Sequence, residues 1–207
     1  MPKKIVTIID YGAGNVRSVG KAVEKLGYEA KLTDDPDDIA YAKAIIFPGQ
    51  GASEPAMQRL KDRNIIVPLK NAIKSNTPFF GVCLGQQLIL EYSEEGASPC
   101  LGIIKGNVKL LPMDVKRPHM GWNQVDMSVE HPVFDGIQNR SYFYFVHSYY
   151  ANPSDDKAAI GHTDYGVNFC SVIAKDELIA TQFHPEKSGT LGLKLYENFL
   201  RMYLGNP

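Results

Sequence analysis

Two short segments, far apart in the chain, hold the side chains best able to do covalent chemistry: Gly81-Val82-Cys83-Leu84-Gly85-Gln86-Gln87 and Thr181-Gln182-Phe183-His184-Pro185-Glu186-Lys187-Ser188. Together they offer a thiol nucleophile, an imidazole base and a carboxylate to orient it, the groups that acyl transfer through a covalent intermediate requires. The apolar run Thr77-Pro78-Phe79-Phe80 precedes Cys83, and an amphipathic run with Leu88, Ile89 and Tyr92 follows it. Cys83 is therefore expected on a sharp turn between a strand and a helix, where small neighbours such as Gly81 and Gly85 permit the turn. A helix N-terminus there supplies unsatisfied N–H groups and positive potential, which favour a thiolate, and the Leu84 N–H can face a developing oxyanion.

His184 and Glu186 are separated by one residue, so on an extended segment both side chains project to the same side and the carboxylate can orient the imidazole. Each motif alone has a duller reading, a buried structural cysteine for the first and a strand end with a satisfied histidine for the second. Their joint presence weighs against both. A third piece is Phe47-Pro48-Gly49-Gln50-Gly51-Ala52-Ser53, where a buried strand runs into a segment with two glycines that lets main chain approach a ligand. It is either a plain strand-to-helix turn or a source of a second oxyanion donor from its backbone.

The elements that must position these groups alternate in type. Lys4 to Asp10 reads as a strand, and Val16, Val19, Val23 and Leu26 recur at helical spacing before Gly27. Strands are expected near Tyr28 to Leu32, over Lys43 to Phe47 and over Pro78 to Val82, with helical runs filling 53 to 75. That alternation marks a parallel α/β sheet, in which ligands collect at the carboxyl ends of the strands, and the loops after Phe47 and Val82 both lie there. Beyond about residue 100 the texture turns to strand-like segments joined by short turns: Tyr142 to Tyr150, Phe169 to Ala174 and Leu178 to Phe183, with Lys175-Asp176-Glu177 as a hairpin turn. An antiparallel extension on a mostly parallel, helix-flanked central sheet is the expected architecture. A closing helix should present Leu191, Leu195, Phe199 and Met202 on one face, with Ser188 as its cap.

The 207 residues are enough to bury one core, and no linker divides them, so residues 1–207 are expected to form one domain. Charge is balanced, 22 basic against 23 acidic residues, which gives no electrostatic reason to expect nucleic acid or a membrane surface as a partner. The three widely spaced cysteines, Cys83, Cys100 and Cys170, suit a reducing compartment better than a disulfide framework. The apolar stretch behind Met1-Pro2-Lys3-Lys4 ends at Asp10, too short for a signal peptide, and the expected location is the cytoplasm. His119, His131 and His162 have no Cys, Asp or Glu at metal-ligand spacing, so no metal is expected. Gly12-Ala13-Gly14 has Arg17 where a dinucleotide loop needs its third glycine, and no cofactor is expected either.

Gly-x-Cys-x-Gly-x-Gln with His-Pro-Glu resembles the class I, or triad, glutamine amidotransferases over nearly the whole chain. Asp10-Tyr11-Gly12-Ala13-Gly14-Asn15, Pro118-His119-Met120-Gly121-Trp122-Asn123 and His184-Pro185-Glu186-Lys187-Ser188 narrow the resemblance to the glutaminase subunits of imidazole glycerol phosphate synthases. The resemblance implies a flavodoxin-like fold with Cys83 attacking the side-chain amide of glutamine, His184 passing protons to the leaving ammonia, and Glu186 holding His184. It further implies an oxyanion hole from Leu84 and the Gly49-Gln50 peptide. Gln87 and the backbone around His147, Ser148 and Tyr149 would hold the substrate's α-amino and carboxylate groups, with Gly51 also at the substrate. Asn15, Met120 and Trp122 would face a partner, although an aromatic such as Trp122 is equally at home in a core. That partner is a cyclase subunit of (β/α)₈ barrel type, which forms a heterodimer with the glutaminase, receives ammonia through an internal channel and makes imidazole glycerol phosphate in histidine biosynthesis. One departure stands out: the oxyanion segment reads Pro48-Gly49-Gln50-Gly51, where the family usually has a β-branched residue in the third place.

Other readings remain open at this level. A glutaminase of the same fold could serve another synthase; that of pyridoxal phosphate synthase typically carries Pro-Gly-Gly-Glu-Ser where this chain has Pro48-Gly49-Gln50-Gly51-Ala52. A non-catalytic regulatory subunit would not need Cys83, His184 and Glu186 intact, and a hydrolase or protease of related fold would accept other amides.

Overall fold

The computed structural model describes residues 3–12, 14–127 and 129–207, so Ala13 of the first glycine-rich segment and Met1-Pro2 lie outside the described residues. The first half is built from β1 (Ile5–Ile9), α1 (Val16–Lys25), β2 (Glu29–Thr33), α2 (Pro36–Ala40), β3 (Ile45–Gly49), α3 (Ser53–Asp62), α4 (Ile66–Lys74), β4 (Phe79–Cys83) and α5 (Leu84–Leu88). The second half contains β5 (Tyr92–Ser93), β6 (Ser98–Pro99), β7 (Gly106–Leu110), β8 (His119–Val125), β9 (Ser141–His147), β10 (Tyr149–Pro153), β11 (Ala159–Asp164), β12 (Asn168–Lys175), β13 (Leu178–Thr181) and α6 (Gly189–Leu204).

The main sheet runs β2-β1-β3-β4-β13-β12-β10-β7-β5-β6, with β11 paired to β12. Strands β2, β1, β3, β4 and β13 are mutually parallel. From β13 through β12 and β10 to β7 the pairing is antiparallel, which is the expected extension. The reading places β13 among the antiparallel segments, and the structure corrects this: β13 leaves the Asp176-Glu177 turn antiparallel to β12 yet lies parallel to β4, inside the core. Its carboxyl end thereby comes beside that of β4, and this is what brings the two chemical motifs together.

Strands buried on both faces read as continuous apolar runs, and β3 and β4 are buried at every position. Alternate residues of these strands feed two cores. Ile46, Phe80 and Val82 join α1 and α6 on one face, while Ile45, Phe47 and Phe79 join α3, α4 and α5 on the other. Phe80 packs against Tyr196 and Phe199 of α6 with ring centroids 5.1 Å apart in each pair. Burying an aromatic of this kind contributes about 1.5–3 kcal/mol.

Three further expectations change in detail. The 142–150 run is two strands, because β9 pairs only with β8 in a separate ribbon and β10 joins the main sheet. Met202 sits at the edge of the buried face of α6 with 36% of its surface exposed, and Tyr196 and Leu200 complete that face with Leu195 and Phe199. Ser188 occupies the cap position of α6, but its hydroxyl donates to the His184 carbonyl at 2.7 Å and accepts from the Tyr144 N–H at 3.0 Å instead of capping the helix.

Candidate active site

Cys83 closes β4 with φ 54° and ψ −107°, in the left-handed half of the backbone map, and Leu84 opens α5 directly after it. This is the strained strand-to-helix turn expected of an exposed nucleophile. The glycines beside it are needed for space: neither adopts positive φ, but a Cβ on Gly85 would lie 2.0 Å from the Phe47 carbonyl oxygen and one on Gly81 would lie 3.0 Å from the Ala180 Cβ. The strain is therefore carried by Cys83 itself.

His184 and Glu186 meet across a 3₁₀ turn over Pro185–Lys187, which corrects the extended geometry expected for this segment. The turn folds the carboxylate back so that Glu186 Oε1 lies 2.7 Å from His184 Nδ1, with both side chains almost wholly buried. Glu186 is itself held on two sides, by the Asn15 carboxamide, which donates to Oε1, and by the Tyr196 hydroxyl, which donates to Oε2 at 3.4 Å. With Nδ1 committed to the carboxylate, Nε2 is the nitrogen left for chemistry. It is buried without a hydrogen-bond partner, although the Cys83 sulfur is close enough to act on it electrostatically.

Burial, the largest single influence on His184, pulls its pKa down. The negative charge of Cys83 and the Glu186 carboxylate outweigh it and raise the pKa from 6.5 to about 10. The imidazole is thus a cation at neutral pH beside the Cys83 sulfur. Such a pair sets a sulfur nucleophile beside an acid ready to protonate a leaving nitrogen.

A cavity of about 520 Å³ opens onto this pair. Gln50, Gly51, Cys83, Leu84, Gln87, His147, Ser148, Tyr149 and His184 all line it. Gly49 stands directly beside Cys83 in the β3–β4 register, and a Cβ on it would lie 2.7 Å from the Tyr11 hydroxyl and 2.8 Å from the Leu84 Cβ, so only glycine allows this approach. The three residues expected to face a partner divide between two places. Asn15 is spent on Glu186, inside the site, while Met120 and Trp122 project from the β8–β9 ribbon at 63% and 55% exposure. Trp122 is therefore no part of the core. A second cavity, of about 500 Å³, lies around Lys70, Lys74 and Glu177 at the opposite ends of β4 and β13, and neither cysteine nor histidine lines it.

Sequence reasoning missed four residues that the fold brings here. Glu95 places a carboxylate in the cavity wall, accepting from the Ser53 N–H at 2.8 Å and hydroxyl at 3.2 Å. Lys187 adds a cation to the same wall. Gln182 donates from Nε2 to Cys83 Sγ at 3.6 Å. The Tyr11 hydroxyl lies buried under Gly49 without a partner, and burial first, then the Cys83 charge, pushes its pKa far up. Lys187 and Gln182 had a local signal as members of the second motif, and Tyr11 as a member of the 10–15 segment, whereas Glu95 had none. Among the described residues no three His, Cys, Asp or Glu side chains gather as a metal site, and no helix is long and apolar enough to cross a membrane.

Comparison with known proteins places this geometry in a family. The model for glutamine amidotransferase class-I matches residues 7–202. The imidazole glycerol phosphate synthase subunit HisH of Dehalococcoides mccartyi is 48% identical over 203 residues, covering 98% of this chain and 99% of its own. The protein of the same name from Methanocaldococcus jannaschii is also 48% identical over 203 residues, covering 96% of this chain and all of its own (100%). A crystal structure described as a glutamine amidotransferase superposes with a TM-score of 0.74 at 19% identity, over 96% of this chain and 98% of that one, a likeness of fold.

Proposed function

The chain belongs to the class-I glutamine amidotransferases, and we propose that it is the glutaminase subunit of an imidazole glycerol phosphate synthase, hydrolysing glutamine to glutamate and ammonia for a cyclase partner. The observation that carries this reading is the 48% identity to subunits of that name over nearly the full chain. The alternative, a glutaminase serving another synthase such as that of pyridoxal phosphate, is not favoured, since these relatives carry the first name.

In this reading residues 1–207 act as one domain without a cofactor. The Cys83 sulfur attacks the amide carbon of glutamine, forming a C–S bond and a tetrahedral oxyanion, which the N–H of Leu84 and the Gly49-Gln50 peptide receive. His184, cationic at neutral pH, donates its Nε2 proton to the nitrogen as the C–N bond breaks, and ammonia leaves. The now neutral imidazole takes a proton from water, hydroxide attacks the thioester, and glutamate departs with Cys83 and His184 restored. Glu186 keeps Nδ1 protonated and the ring in place, and Asn15 and Tyr196 keep Glu186 in place. Glu95 suits the α-ammonium of the substrate, Lys187 its α-carboxylate, and Gly51, Gln87 and the His147-Ser148-Tyr149 backbone shape the remaining wall.

The partner is a (β/α)₈ cyclase subunit, joined as a heterodimer in the cytoplasm through the β8–β9 ribbon. Support for that face comes from Met120, Trp122 and Tyr142, all more than half exposed on one two-stranded ribbon, which is an unusual grouping for a surface in contact only with water. The test is glutamate release by the purified chain, alone and with a cyclase subunit plus its ribonucleotide ligand. Stimulation of tenfold or more is expected. High activity without any partner would refute the coupling, and stimulation only by a different synthase would overturn the pathway while keeping the triad.

A further inference from the structure

Gln182 has no part in the scheme above, yet it is completely buried and its carboxamide reaches the nucleophile, with Nε2 donating to Cys83 Sγ at 3.6 Å. Its Oε1 accepts from Gln87 Nε2 at 3.1 Å, and that same nitrogen donates to the Tyr149 carbonyl at 2.7 Å. The Tyr149 carbonyl also meets His147 Nδ1 at 2.9 Å, His147 Nε2 meets His119 Nδ1 at 3.0 Å, and His119 Nε2 meets the Asn123 carboxamide nitrogen at 3.3 Å. The chain of bonds runs without a gap from β8 to the reactive sulfur.

Its directions are fixed from both ends by which groups can donate. The Asn123 nitrogen only donates, so His119 accepts at Nε2 and carries its hydrogen on Nδ1. His147 therefore accepts at Nε2 and donates from Nδ1 to the Tyr149 carbonyl, which only accepts. Both hydrogens of the Gln87 amide are spent on Tyr149 and Gln182. Gln182 must then turn its oxygen to Gln87 and its N–H to the sulfur, because the reversed amide would set N–H against N–H and oxygen against a thiolate.

We propose that Gln182 is a further catalytic residue, holding the Cys83 thiolate ionised and aimed through an N–H···S hydrogen bond, with Gln87, the Tyr149 carbonyl and the His147–His119 pair as positioning groups that lock its orientation. The inference rests on Cys83 being the nucleophile. A hydrogen bond to a charged group changes an equilibrium by about 10- to 100-fold, which sets the size of the effect. It also ties the nucleophile to Tyr149, a residue of the cavity wall, so that the wall and the sulfur are aligned by one set of bonds.

The test uses the chain in complex with its cyclase subunit and compares the wild type with Gln182→Glu, Gln182→Met and Cys83→Ala. Glutamate release gives kcat and KM, and iodoacetamide labelling at pH 7, mapped by mass spectrometry, gives the alkylation rate of Cys83. Burial pushes the Cys100 thiol up to about 11 and the Cys170 thiol up to about 12, so neither competes. Gln182→Glu keeps the shape and the oxygen that accepts from Gln87 but presents oxygen to the sulfur. Both variants are expected to lower kcat and the alkylation rate about 10- to 100-fold, with KM within about threefold. Alkylation of a folded Gln182→Glu at the wild-type rate would overturn the proposal, and this variant decides the matter alone if Gln182→Met does not fold. Glutamate release that survives Cys83→Ala would bring down the nucleophile assignment and this proposal with it.

Discussion

Gly192 is the position where helix propensity and tertiary packing make opposite predictions. It lies inside α6, where alanine is ordinarily the more stable residue by roughly 0.5–1 kcal/mol. A Cβ on Gly192, however, would lie 1.9 Å from the Pro185 carbonyl oxygen, where 3.0 Å is the nearest approach that real Cβ atoms show. The helix and the Pro185–Lys187 turn must therefore part by about 1.1 Å, and neither can give way alone, because α6 is clamped by Leu195, Tyr196 and Phe199 in the core. The turn is the softer of the two, and it carries His184 at one end and Glu186 in the middle. A displacement of about 1 Å at a catalytic group costs on the order of 100-fold in rate, while overpacking of this kind costs about 1–3 kcal/mol. Gly192→Ala is thus expected to reduce kcat for glutamate release about 100-fold in the assembled enzyme and to lower the urea midpoint despite the better helix former. Gly189→Ala is the control: that glycine has φ +63° and nothing within 4 Å of its Cβ, so alanine there should cost about 1 kcal/mol of backbone strain and little activity. A Gly192→Ala enzyme within twofold of the wild type would refute the claim that this contact positions the triad.

Two further predictions concern charge. In Cys83→Ala the sulfur charge that supports the His184 cation is gone while burial, the larger influence, remains, so the imidazole pKa should fall well below about 10 and glutaminase activity should reach background. Histidine NMR titration reads this directly, and an unchanged pKa would show that Glu186 alone sets it. His147 is held at about 3 and His119 at about 4, both chiefly by burial. The unfolded chain protonates these rings near 6.5, so it binds more protons than the folded one below that pH, and stability that is complete above pH 6.5 is lost as pH falls towards 4 and 3. The His147 part alone amounts to roughly 3 kcal/mol by pH 4. Urea midpoints measured across pH 7 to 4 should fall more shallowly for His147→Met than for the wild type; parallel curves would refute the assignment.

How much of this was readable in the chain follows from how far apart the interacting residues lie. The strands around Ile46 and Phe80 and the turn at Cys83 were legible because their causes are local: buried parallel strands are apolar throughout, and a nucleophile elbow needs small flanking residues. The outward face of β8 was legible in principle, since Met120, Trp122 and Gln124 alternate as exposed positions along it. What escaped is non-local. Asn15 reaches Glu186, Glu95 reaches Ser53 and Gln182 reaches Cys83 only because β1, β3, β4 and β13 end side by side, and no short window of sequence contains any of these three pairs. Where a local rule did fail, as with Ser188, a tertiary demand displaced it: its hydroxyl fastens the catalytic turn to β9 instead of capping α6.

That displacement belongs to a wider pattern in how the molecule distributes its defects. Among the described residues three buried side-chain polar atoms lack a partner, the Tyr11 hydroxyl, Gln86 Oε1 and His184 Nε2. Each such vacancy costs about 1–3 kcal/mol, a large share of a domain's net stability. Two of the three flank Cys83, which itself holds a backbone conformation that non-glycine residues avoid. Random imperfection would scatter these costs over the fold. Their concentration at the carboxyl ends of the parallel strands places the least satisfied part of the described core around Cys83. His184 Nε2 faces the Cys83 sulfur, so in the proposed reaction an amide nitrogen bonded at the carbon that the sulfur attacks comes within its reach.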